Sequence, residues 1–180
     1  DTTEVQEVEF LNEKEPKIDS NAIFTNGLKE HNANAVATIV DTLDISDLRP
    51  DSEYVFIGKV VDAEDESLVF ATCVVEFETD DVTDSVEAFF TFSTKNLDGR
   101  TLVVVGDLYR VGHTAAVSSH NDLTDEDETV VIPSIDTFAF DKTKSEDSEY
   151  AKYVVYSSVS VISDRIDYTK LTSGDEYIIE

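Results

Sequence analysis

The 180-residue chain has one cysteine, no methionine, no tryptophan, three prolines and six glycines. A single cysteine excludes any internal disulfide. Cys73 lies in the apolar run 69–75, where burial among neighbours is its expected role. Cations are scarce: 13 Lys and Arg stand against 40 Asp and Glu, for a net charge of −27. Such a surface repels nucleic acid and anionic membranes, so neither is an expected partner. A solvated acidic exterior is the ordinary reading; cation binding and solubility in salt are the alternatives. No apolar run is long enough to span a bilayer. A leader and a sorting tail are also missing, so an exported protein would carry this sequence as an internal fragment. His31, His113 and His120 are scattered, and no residues have zinc-ligand spacing. No Gly-rich phosphate loop or Gly-x-Ser-x-Gly elbow occurs. Nothing here predicts a multiple-turnover enzyme.

What is present favours strands. Apolar residues make up 41% of the chain and are mostly Val, Ile, Phe and Tyr. Runs at 18–24, 37–43, 53–61, 68–78, 85–92, 101–105, 114–118 and 129–132 read as eight short strands. They are separated by turn chemistry such as Asn26-Gly27, Arg49-Pro50-Asp51-Ser52 and Asp98-Gly99. No amphipathic helix is apparent. The pattern predicts an all-β fold, an immunoglobulin-like β-sandwich.

The chain also repeats itself. At an offset of 123, Ile39, Asp41, Asp44, Leu48, Glu53 and Tyr54 fall on Ile162, Asp164, Asp167, Leu171, Glu176 and Tyr177. At an offset of 117, Ile18-Asp19-Ser20 falls on Ile135-Asp136-Thr137. The difference of six fits a longer polar loop in the second copy, near 142–150. Residues 1–12 are expected to be the last strand of a preceding repeat, 16–132 a complete repeat, and 133–180 the first strands of a following one. The segment 133–180 is expected to be less stable than the centre.

One stretch organises the rest. Residues 120–128 hold one histidine and five acids, then pass into Thr129-Val130-Val131-Ile132-Pro133. This reads as an acidic turn feeding a last strand that proline closes.

These segments resemble the VaFE-type repeat domains of Gram-positive surface-anchored adhesins. The likeness rests on Ile39-Val40-Asp41-Thr42-Leu43, on residues 48–54 and 86–92, on the run from Leu97-Asp98-Gly99-Arg100 through Tyr109, and on 120–128. The resemblance implies an Ig-like sandwich that serves as a stalk, holding an adhesive tip away from the cell wall. Its implied partners are neighbouring repeats, with a host or cell-surface ligand that the sequence does not name.

It also implies an internal ester. In such domains a threonine hydroxyl on the first strand attacks a glutamine carboxamide on the last strand and releases ammonia. Both groups react poorly, so the reaction needs burial, a base near the hydroxyl and protonated acids to polarise the amide. By resemblance, the central repeat has Ser20 at the threonine position, Asp41 as the aspartate and His120 as the histidine. Gly106 stands where a glutamate is expected, and Glu128 where the glutamine is expected. A carboxylate is a far worse acyl donor than an amide, so the central repeat is expected to lack the bond. In that case Ser20, Asp41, His120 and Glu128 would form a hydrogen-bonded cluster between the first and last strands. Thr137 and Asp164 hold the nucleophile and aspartate positions of the following repeat. Gln6, the sole glutamine, aligns with the reactive position of a preceding one. Thr137 and Gln6 also read as ordinary strand residues.

Three alternatives stay open. The loops of the sandwich would bind a ligand if this is a recognition module of a surface protein. The acidic runs 62–66 and 122–128 would bind calcium, although neither has the order of an EF-hand loop. A lysine–asparagine isopeptide would use Lys17 or Lys59, but no matching asparagine is evident on a terminal strand. No other cofactor is implied.

Overall fold

The computed structural model describes residues 14–143, 152–153 and 159–179. Among these there is no helix, and ten strands follow one another along the chain. They are β1 (Lys17–Phe24), β2 (Val36–Ser46), β3 (Ser52–Asp62), β4 (Val69–Thr79), β5 (Thr83–Ser93), β6 (Arg100–Arg110), β7 (Ser118–His120), β8 (Thr129–Ile132), β9 (Ser134–Asp141) and β10 (Ile162–Thr169).

The first eight strands form two facing sheets. One has the order β1-β2-β5, the other β4-β3-β6 with both β7 and β8 along the far side of β6. All pairings are antiparallel. Alternation along the strands decides what lies between the sheets. On β2, Ala37, Ile39, Asp41, Leu43 and Ile45 point inward and are buried. On β3, Tyr54, Phe56 and Val60 do the same, and on β5 Ala88, Phe90 and Phe92. These join Ala22, Phe24, Leu102, Leu108, Val130 and Ile132 in a single core. Among the described residues, its members all lie between Ile18 and Ile132. The immunoglobulin-like sandwich expected from the strand pattern is the fold found.

A smaller cluster forms on the back of the second sheet. Val61, Val103 and Val105 are covered there by Ala63 and by Leu123 of the acidic segment. Leu123 thus draws that segment across the sheet. Cys73 packs against the core edge and is half-buried.

Two strand expectations change. β6 does not stop at Val105 but continues through Gly106 to Arg110, because Gly106 pairs with Gly58 on one side and His120 on the other. Residues 114–117 do not form a strand; β7 begins only at Ser118, after the Val117 amide has bonded the Leu108 carbonyl (2.7 Å).

β9 and β10 make a separate two-stranded hairpin. Thr137 pairs with Ile166 and Ala139 with Asp164. In β1 and β2, Ser20 pairs with Leu43 and Ala22 with Asp41. The two offsets read from the sequence therefore correspond to one shared register. The hairpin is far more exposed than its counterpart: Ile135, Ile162 and Tyr168 are all open to solvent. The short run at 1–12, with Gln6, lies outside the described residues, as does most of the loop expected at 142–150.

Candidate functional site: a buried acid pair between the first and last strands

β1 and β2 bring Ser20 and Asp41 to the inner face of their sheet, and both are buried. Glu128 comes from the opposite side. It immediately precedes β8, its carbonyl accepts from the Val104 amide (3.1 Å), and its side chain is fully buried. The neighbouring Asp127 carbonyl accepts from the Ala22 amide (2.9 Å), which ties this turn to β1. His120 is delivered by its pairing with Gly106. Its Nε2 lies 3.2 Å from Asp125 Oδ2, within ion-pair distance but without hydrogen-bond alignment.

Burial governs the electrostatics. Together with the nearby Glu128 charge, and against the opposing pull of Lys29, it raises Asp41 from 3.8 to about 8. Burial also pushes Glu128 upward, against the Ser20 hydroxyl, His120 and Lys29, which favour its anion. The two carboxyls thus repel as anions in a site that already disfavours charge, and Asp41 keeps its proton at neutral pH.

The five positions named from the sequence are brought to one region, but the expected hydrogen-bonded cluster is not formed. Asp41 Oδ1 and both Glu128 oxygens are buried without a hydrogen-bond partner, although Ser20 is close enough to act on Glu128. Buried carboxyl oxygens in this condition are costly, about 1–3 kcal/mol each when neutral and more when charged.

The glutamate position is closed rather than merely vacant. Gly106 lies on the inner face of β6, and a Cβ there would come within 2.3 Å of Phe56 Cζ. Its partner Gly58 is similarly crowded: a Cβ would lie 2.6 Å from Phe90 Cζ and 2.7 Å from Phe56 Cε1. The Phe56 ring, itself buried, fills the space that an acidic side chain at 106 would need.

Lys29 was not singled out by sequence. It falls in a stretch that reads as a polar loop, yet that stretch runs beside β8. The Val131 amide donates to the Lys29 carbonyl (2.8 Å), and the His31 amide donates to the Val131 carbonyl (3.2 Å). Lys29 Nζ donates to the Asp127 carbonyl (2.5 Å). Burial lowers its pKa against the pull of Glu128, Asp127, Asp125 and Asp41. No local pattern announces this long-range contact. Lys17 and Lys59, the two lysines considered for an isopeptide, are exposed; Lys17 lies 3.9 Å from Asp47 instead.

The acidic runs serve as turn caps. Asp122 accepts from the Thr124 amide (2.9 Å) and hydroxyl (2.7 Å), which lowers its pKa. Asp125 accepts from the Asp127 amide (2.9 Å), and Asp65 from the Ser67 amide (3.1 Å). Asp62 accepts from the Glu64 amide (2.8 Å) and pairs with Arg100. Such Asx turns are the usual reason for aspartate at a bend. Among the described residues no three His, Cys, Asp or Glu side chains converge as metal ligands.

In the β9–β10 hairpin, Thr137 and Asp164 occupy the register positions of Ser20 and Asp41. Both are exposed there.

The profile of the T-Q ester bond containing domain matches residues 16–132 and again 133–180. The chain belongs to the T-Q ester bond domain family. It is a structural domain and not a multiple-turnover enzyme. Among solved structures it is similar to a bacterial adhesin from Mobiluncus mulieris containing intramolecular disulfide, isopeptide and ester bond cross-links. One crystal form of that adhesin gives a TM-score of 0.61 at 16% identity, over 70% of this chain and 60% of the adhesin chain. Another gives 0.59 at 17% identity, over 66% and 57%. The chain thus spans less than two thirds of that adhesin's length, and the likeness is one of fold. No curated protein sequence is recognisably similar.

Proposed function

We propose that residues 16–132 are a stalk repeat of a cell-wall-anchored, extracellular Gram-positive adhesin in which the family's ester does not form. Residues 1–12 and 133–180 belong to the repeats on either side. Family membership, the shared register of the two hairpins and the exposure of the second one support this reading.

The observation that carries the missing bond is the pair Glu128 and Gly106. The acyl donor is a carboxyl, so no ammonia can leave, and the acid that would polarise it is replaced by a glycine packed against Phe56. What remains is a serine facing a carboxyl that burial disfavours as an anion. Ester formation from these partners would release water and has no good leaving group. The repeat is therefore held by non-covalent contacts alone. In the following repeat, Thr137 and Asp164 retain the reactive types.

Single-molecule pulling tests this. Without the bond, the 108 residues between Ser20 and Glu128 (128 − 20) extend freely once the repeat yields, adding roughly 360–390 Å of chain. A cross-linked repeat would keep that length locked. An intact mass equal to the sequence supports the proposal; the loss of one water, mapped to Ser20 and Glu128, defeats it.

A further inference from the structure

The turn after β10 is a second copy of the turn after β2. Lys170 and Gly174 have positive φ (61° and 98°), as do Asp47 and Asp51 (57° and 53°) at the equivalent places. The Thr172 amide donates to the Tyr177 hydroxyl (2.8 Å), just as the Arg49 amide donates to the Tyr54 hydroxyl (2.9 Å). Left-handed backbone at two fixed points and a tyrosine bonded five residues back give both turns the same shape.

In the later copy the outer side of this turn is seated on the end of the sandwich where β6 begins. Lys170 Nζ donates to Thr101 Oγ1 (2.6 Å). Thr172 Oγ1 donates to Glu30 Oε2 (2.9 Å), and the Tyr177 hydroxyl to the same oxygen (3.0 Å). Two side chains of the turn thus close on one carboxylate of the domain before it.

The earlier copy of the turn lies at the opposite end of the sandwich, beside a cavity of about 770 Å³. Lys14, Arg49 and Arg110 line this cavity together with Glu15 and Asp47. Lys14 is paired with Asp47 across the mouth of this cavity (3.1 Å). Arg49 stands where Thr172 stands in the later turn, the position that meets a carboxylate.

We propose that this cavity is the seat of the preceding repeat. The turn at 47–54 receives the far end of the repeat before it, and its position 49 meets a carboxylate placed as Glu30 is placed in the central repeat. An arginine at this position adds charge to a contact that threonine makes as a neutral donor. The proposal rests on the repeat organisation given above. It adds that adjacent repeats are docked end to end rather than loosely strung.

The test uses a tandem chain, residues 14–132 followed directly by 16–180. Pro16 and Pro133 are equivalent at the offset of 117, so the joint keeps its native spacing. Residues 14–132 are first unfolded alone. Failure to fold cooperatively would remove the repeat organisation and the proposal with it. Once folding is established, 15N relaxation of the tandem separates docked from loose copies. Docked copies share one rotational correlation time. Arg49→Glu in the second copy abolishes that shared value, and Glu30→Arg in the first copy restores it. Independent tumbling of the unmodified tandem overturns the proposal. So does a shared correlation time that Arg49→Glu leaves unchanged.

Discussion

Phe56 and Gly106 occupy one another's space: the ring lies where the Cβ of any residue larger than glycine would have to go. Neither position changes freely alone. Gly106→Glu is expected to destabilise the repeat by at least about 1–3 kcal/mol, the usual range for overpacking a core. Phe56→Ile alone leaves a cavity. Combined, the two changes should cost less than the sum, because the smaller side chain gives way to the larger. Ile179 stands at the position of Phe56 in the following copy, at the offset of 123. Urea unfolding of the three variants measures the coupling; strict additivity would show that Phe56 does not set the limit.

The same pair decides whether the ester can be rebuilt. Glu128→Gln alone restores an amide but no acid at position 106, and the denatured chain should keep its full mass. Ser20→Thr, Phe56→Ile, Gly106→Glu and Glu128→Gln together restore the reactive set, and the chain should lose one ammonia. Mass spectrometry after digestion would place the link between positions 20 and 128. Loss of ammonia from Glu128→Gln alone would show that Ser20, Asp41 and His120 suffice.

Stability should fall as pH rises. Asp41 holds its proton to about 8 when folded and has an ordinary value of 3.8, and Glu128 is shifted the same way. The native state then binds more protons than the unfolded chain between these values. The stability this brings is fully present below the unfolded value and is lost as pH passes through the folded one. The slope approaches about 1.4 kcal/mol per pH unit for each proton linked. Asp41→Asn keeps the shape without the titration. It should flatten the curve and be the more stable protein at about pH 8. Urea midpoints across the range measure this; a wild-type curve as flat as that of Asp41→Asn would contradict it.

Glu30 is the grip for the turn of the following repeat. Glu30→Ala removes the acceptor for Thr172 and Tyr177. The Thr172 amide should exchange faster, while the core amides of β3 and β6 keep their protection. An exposed contact of this kind is worth about 1 kcal/mol or less, so the change should be local. Hydrogen exchange read by NMR separates the two regions, and equal acceleration in both would argue against a local role.

Much of the sandwich was legible because its strands alternate and its turns use Asn-Gly, Asp-Gly and Arg-Pro-Asp-Ser. The repeat was legible because Asp41 and Asp164, or Tyr54 and Tyr177, fall into one spacing. Three things were hidden for physical reasons. Gly106 looks like the end of a strand, yet the strand continues because glycine is what the crowding by Phe56 allows. Lys29 joins the acid pair through backbone bonds to Val131, a residue about 100 positions away. The cluster at Ser20, Asp41 and Glu128 reads as one satisfied by hydrogen bonds, yet the fold leaves buried oxygens there without partners.

The directions of β1 and β8 have a mechanical meaning. β1 enters at the end of the sandwich that carries Asp47 and runs toward the end that carries Arg100, where β8 also finishes, paired through Ile132 with Arg100. A pull applied at Pro16 and Pro133 therefore draws the two strands lengthwise past their neighbours. The rungs of each ladder are loaded together in shear, instead of being peeled one after another. Brittle, high-force rupture is the response this arrangement prepares, and full extension follows it if, as proposed, no covalent strap joins the first and last strands.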